Sequence, residues 1–173
     1  MAFERTEFLK LLEESYTAYY NIIKDDLPED IPVVFRGDYF QKDELFWLSK
    51  RITVWGNETN EFAYVFSQSR FDAEDVKKCI DYAWEHGMPR VKPHKEHQYT
   101  NVKTVFLADD FSDEAVEEIK RSKRHVEYNR AFWGYSNLIT CGVNLDTESV
   151  FTNRVGSEMK KYFKKLFAAQ KKS

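Results

Sequence analysis

The chain has 173 residues, enough for one domain spanning residues 1–173 to bury a core without disulfides or a structural metal. Its 42% hydrophobic and 32% charged residues are those of a globular protein, neither disordered nor membrane-embedded. The formal net charge of -3 covers an asymmetry: residues 1–90 carry 11 basic and 18 acidic side chains, residues 91–173 carry 15 and 11, so one end is expected to be electropositive.

Met1 to Glu7 has no basic region followed by an apolar run, and no stretch approaches about 18 consecutive apolar residues. A cytoplasmic protein without membrane contact is expected. Cys79 and Cys141, the two cysteines, sit in apolar settings far apart in sequence, which fits buried, reduced thiols. The 14 Phe, 10 Tyr and 4 Trp must fill a thick core or line a pocket or interface.

In chain order, Phe8, Leu11, Leu12, Tyr16, Tyr19 and Ile23 recur at helical spacing and predict a helix from Thr6 to Lys24, closed by Pro28 and Pro32. Val33-Val34-Phe35 opens a β-rich region. Leu45 to Trp55 and Phe62 to Ser67 read as two more strands of an antiparallel meander, with Gly56-Asn57 between them. Phe62-Ala63-Tyr64-Val65-Phe66 has no polar residue on either face, which predicts a central strand buried on both sides.

Asp72, with Asp75 three residues on, predicts the cap of a second helix whose stripe is Val76, Cys79, Ile80, Ala83 and Trp84 and which Gly87 ends. A polar connection runs from Met88 to Tyr99, and Val102 to Leu107 is the next strand. Ser112 caps a third helix carrying Ala115, Val116 and Ile119 inward. His125 to Trp133 and Asn137 to Leu145 pair around Gly134. Met159, Tyr162, Phe163, Leu166 and Phe167 form the stripe of a last, lysine-rich helix. The fold class expected is α+β: a single domain with a mixed, mainly antiparallel sheet of about five or six strands flanked by helices.

The segment Pro89 to Thr100 gathers histidines, cations and a carboxylate in a loop. His94 and His97, with Glu58, Glu61 and Asp109, are the candidate ligands of a divalent metal, because imidazole and carboxylate suit zinc or another first-row ion. No other cofactor is evident: the six glycines are scattered, so the phosphate-cradling loops lack their signature, and no Gly-x-Ser-x-Gly elbow is present. Lys120, Arg121, Lys123, Arg124 and Arg130, near Tyr128, Phe132 and Trp133, are the candidate nucleic-acid contacts, since cations hold phosphates and rings stack on bases.

The element order resembles the core of the restriction-endonuclease-like superfamily, whose metal site uses an acidic residue and a Glu-x-Lys or Asp-x-Lys triplet. Asp75-Val76-Lys77 and Glu118-Ile119-Lys120 match that triplet on helices. The stretch from Phe35 to Thr100, notably Glu58-Thr59-Asn60-Glu61-Phe62 and Lys92 to His97, is similar to small prokaryotic proteins of uncharacterised function. Three functions follow as expectations: a binding or interaction domain, with a homodimer or protein partner through its aromatic surface; a metal-dependent, nuclease-like hydrolase; and a nucleic-acid binder using the basic C-terminal half.

Overall fold

The computed structural model describes residues 3–43 and 57–172. Helix α1 (Arg5–Thr17) buries Phe8, Leu12 and Tyr16, one residue per turn. It stops short of Lys24. Tyr20 leaves the helix to stack on Tyr16, with ring centroids 4.8 Å apart, and Ile22 and Ile23 enter strand β1 (Asn21–Ile23). A Cβ on Gly37 would come 3.1 Å from the Tyr20 side chain, so glycine there makes room for this exit from the helix.

Strand β2 (Val33–Asp43) lies antiparallel to β1 and to β3 (Asn57–Ser67). The expected strand Leu45 to Trp55 and its Gly56 turn lie outside the described residues. After β3 come β4 (Arg70–Phe71), helix α2 (Ala73–Gly87) and a single 3-10 turn at Met88–Arg90. Strands β5 (His97–Ala108) and β6 (Asp110–Phe111) then lead into α3 (Asp113–Arg121). Strands β7 (His125–Glu127), β8 (Tyr135–Asn144) and β9 (Ser149–Thr152) precede α4 (Met159–Lys172).

These make an α+β fold on a mixed seven-stranded sheet of order β1-β2-β3-β5-β8-β7, with β9 also on β8. The three inner strands, β3, β5 and β8, run parallel, and the flanking pairs are antiparallel. As its doubly apolar sequence requires, β3 is central: Phe62, Tyr64 and Phe66 face α2 and α3, and Ala63 and Val65 face α1 and α4. Two cores result, one on each face of the sheet.

Residues forty positions apart pair in parallel, Phe66 with Phe106 and Phe71 with Phe111, so β3-β4-α2 and β5-β6-α3 are two copies of one unit. Asp72 and Ser112 cap the two helices, Asp72 in a full capping box with Asp75. Gly87 does not end α2 in a left-handed turn. Its φ is -78°, and glycine there keeps α2 close to the sheet, since a Cβ would crowd Val102 at 3.1 Å and the Tyr64 hydroxyl at 3.2 Å.

Strand β5 begins at His97, five residues before the apolar run, so part of the expected polar connection is sheet. Strand β7 is only three residues long. Asn129, Arg130 and Ala131 follow it with φ of 48°, 53° and 68°, a left-handed turn that returns the chain to β8 through Gly134. Among the described residues no helix is long and apolar enough to cross a membrane.

Candidate tyrosine-lined binding site

Helices α1 and α4 cover only part of their sheet face. Beyond them, ladder register sets two rows of side chains across β2, β3, β5, β8 and β7. Gln41, Thr59, Tyr99, Tyr135 and Glu127 form one, and Tyr39, Glu61, Asn101, Asn137 and His125 the other. All ten are partly or fully exposed and none is aliphatic. On the opposite face of these same strands Asn60, Thr100 and Ser136 are buried.

Where the rows pass under the helices they open into a pocket of about 480 Å³. Six of the ten tyrosines line it: Tyr16, Tyr19 and Tyr20 from α1 and the residues after it, Tyr39 from β2, Tyr99 from β5 and Tyr162 from α4. Its polar floor is a three-membered network. Lys103 Nζ donates to Glu61 Oε2 at 2.7 Å and to the Tyr20 hydroxyl at 3.0 Å, and that hydroxyl in turn donates to Glu61.

Burial acts to raise the Glu61 carboxyl, but the Lys103 charge, with hydrogen bonds from Lys103, Tyr20 and Asn101, outweighs it and holds the group below its ordinary value. Burial, then the Glu61 charge, pushes Tyr20 far above the usual phenol range, and burial does the same to Tyr16. The pocket floor therefore presents the neutral phenols of Tyr16 and Tyr20 and a mutually neutralised ion pair, and the Glu158 carboxylate also lines the pocket.

Of the candidate metal ligands, the fold brings Glu58, His94 and His97 together. His94 Nε2 lies 2.9 Å from Glu58 Oε2, and its Nδ1 accepts from the Glu96 amide. His97 is buried, its Nδ1 2.7 Å from the Trp133 carbonyl and its Nε2 2.8 Å from Thr100 Oγ1, so both ring nitrogens are engaged. Glu61 is on the opposite face of β3 from the buried Asn60. Asp109 follows the far end of β5 from His97, roughly 40 Å along the strand at about 3.3 Å per residue, and pairs with Arg5 at 2.6 Å. Among the described residues no group of three or more His, Cys, Asp or Glu is disposed to hold a metal.

Of the basic candidates, Arg121, Lys123 and Arg124 line one cleft between α2 and α3. Lys120 and Arg121 end α3, where cations complement the helix dipole, and Arg124 pairs with Asp81 beside Trp84. Lys123 and Arg130 are exposed. Lys77 and Glu118 of the two acidic-x-Lys triplets line the same cleft, while Asp75 closes the capping box of α2.

A family model, described as a domain of unknown function (DUF8052), matches residues 4–165. The chain belongs to the DUF8052 family. No curated protein and no solved structure matches it. The DUF8052 match takes in every element from α1 into α4, and so the whole pocket. Glu61 is a candidate from sequence, whereas Lys103, Tyr20, Tyr99 and Asn101 join the site only through the fold. The signal for the β5 residues was the alternation Tyr99, Asn101, Lys103 against Thr100, Val102, Thr104, which has the period of a strand.

Proposed function

We propose that this protein is a binding domain whose site is the tyrosine-lined pocket, and that its ligand is a small uncharged molecule with hydroxyl or amide groups on a flat or apolar body. The pocket carries the reading: its volume is of the size that holds small ligands, and tyrosines supply ring contact and a polar tip together. The Glu61–Lys103 pair neutralises the pocket floor, and the Glu158 carboxylate at the lining disfavours an anion. A cytoplasmic setting is supported by two buried, unpaired cysteines.

A thermal-shift screen of neutral aromatic and hydroxylated fragments tests it, because a ligand preferring the native state raises the apparent Tm. Hits that disappear in Tyr99→Ala support the pocket. Hits that bind that variant as well as the parent sink it.

A second reading is favoured by the left-handed turn, where Phe132 is 73% exposed beside Trp133 at 41%. Adjacent exposed rings suit a protein partner or a second copy of the chain. Sedimentation checks the second copy: self-association lost in Phe132→Ser/Trp133→Ser supports it, and a monomer at every concentration rules it out.

A further inference from the structure

The inner strands of a parallel sheet are ordinarily covered on both faces, yet β5 and β8 leave Tyr99, Asn101, Tyr135 and Asn137 partly open to solvent. The uncovered strip runs from the pocket across five strands, about 19 Å at roughly 4.8 Å per strand. It is continuous with the pocket, since Gln41, Thr59 and Tyr99 belong to both. Tyr99 and Tyr135 stack along it with ring centroids 5.9 Å apart and planes 23° apart, and the His125 ring lies 5.7 Å beyond Tyr135.

The chemistry of the strip selects its occupant. Lys103, the cation at its edge, is neutralised by Glu61. A nucleic acid needs unpaired cations along its backbone path, and the two rows hold no lysine or arginine. A peptide adding to the sheet needs a free strand edge, which β5 and β8, the inner strands that carry the stacked tyrosines, lack. What remains is a row of rings beside planar amides, which together fit a ligand with apolar ring faces and hydroxyl edges.

Resting on the pocket reading above, we propose that the ligand is a neutral oligosaccharide, with one sugar unit in the pocket and further units lying across Tyr99, Tyr135 and Asn137. The pocket holds the terminal unit between tyrosines. The strip adds affinity with each further unit until its far edge at β7 is reached.

The test is calorimetric titration of the full chain with gluco-, xylo- and N-acetylglucosamine oligosaccharides of one to six units, with polyuridylate as the polyanion control. The expected result is that one neutral series binds more tightly as it lengthens. Tyr135→Ala should then weaken the longest member about three- to tenfold, the worth of one aromatic contact, while leaving the single unit within about twofold and the melting curve intact. Tyr135→Phe, which keeps the ring, should retain the affinity. Binding that does not depend on length, a Tyr135→Ala variant that binds the longest member unchanged, or salt-sensitive binding of polyuridylate in preference to every sugar would each overturn the proposal. Neutral fragments that bind the pocket while all oligosaccharides fail would overturn it and leave the pocket reading standing. Failure of both would remove both.

Discussion

Lys103 Nζ lies 2.7 Å from Glu61 Oε2, a diagonal contact across the β3–β5 ladder, where Glu61 is opposite Asn101 and Lys103 is opposite Ala63. The two side chains are 14% and 21% exposed, so the pair is mostly dry and its partners depend on each other. Lys103→Met leaves Glu61 charged and short of its main partner. The expected loss is about 2–3 kcal/mol, less than the roughly 3–5 kcal/mol of a fully buried pair because some water contact remains. Adding Glu61→Gln to Lys103→Met should recover at least half of that in urea unfolding. A double variant no more stable than Lys103→Met alone would show that the unpaired carboxylate is not the source of the loss.

Glu61 also sets an acid limit. Its carboxyl is held below the ordinary value of 4.5, so the unfolded chain takes up this proton first as pH falls. The group therefore stabilises the fold above that value, and its contribution is lost as pH drops through the lower, folded value. Glu61→Gln should flatten the stability profile below about pH 4.5. An unchanged acid slope would count against this assignment.

His86 shows the opposite protonation logic. Its Nε2 lies 2.6 Å from an Arg36 amine and its Nδ1 2.7 Å from the Tyr64 hydroxyl. Burial first, then the Arg36 and Arg90 charges, lower its pKa from 6.5. The nitrogen facing Arg36 must accept, and a proton there would set donor against donor. Because the unfolded chain binds this proton first, stability should be greatest above about pH 6.5 and fall below it until the folded value is passed. Gln in place of His86 keeps an acceptor without the titration. Urea midpoints at pH 5 and pH 7.5 should converge in His86→Gln and differ in the parent.

The turn between β7 and β8 gives a pair of opposite effects. Ala131 has φ of 68°, a conformation that costs an L-residue about 1–2 kcal/mol and glycine little. Ala131→Gly should stabilise by about 0.5–1 kcal/mol after the entropy glycine adds to the unfolded chain. Gly134→Ala should destabilise strongly. Its φ is 75°, and a Cβ there would lie 2.1 Å from the Gln98 carbonyl oxygen, which is backbone and cannot move aside. Thermal melts of the two variants should shift in opposite directions.

Much of this fold was legible because its signals are local. Phe62 to Phe66 announced a strand buried on both faces, and Asp72 and Ser112 announced their helices. The first helix was read too long because Tyr19 and Ile23 keep helical spacing, while the end of the helix depends on Tyr20 meeting Gly37 seventeen residues away. The site was mostly illegible for a related reason. Tyr99 reads as loop because it closes the polar, proline-bearing run from Met88, and Asn101 falls between that run and the apolar start of the strand at Val102. Lys103 meets Glu61 only through a ladder joining segments about forty residues apart, a register that periodicity does not reveal.

The two cysteines offer a probe of the cores on either face. Cys79 faces the sheet from α2 and Cys141 lies on β8, each at most 1% exposed. Burial pushes the Cys79 thiol up to about 12, with the Asp75 charge adding to it, and burial raises Cys141 as well. Thiolate is the reactive form, so both should resist a thiol reagent at pH 8 in the native protein and react together in denaturant. In intermediate urea, labelling of Cys141 should follow global unfolding because its strand is inner and paired on both sides. Labelling of Cys79 ahead of Cys141 would mean that α2 lifts from the sheet before the sheet comes apart.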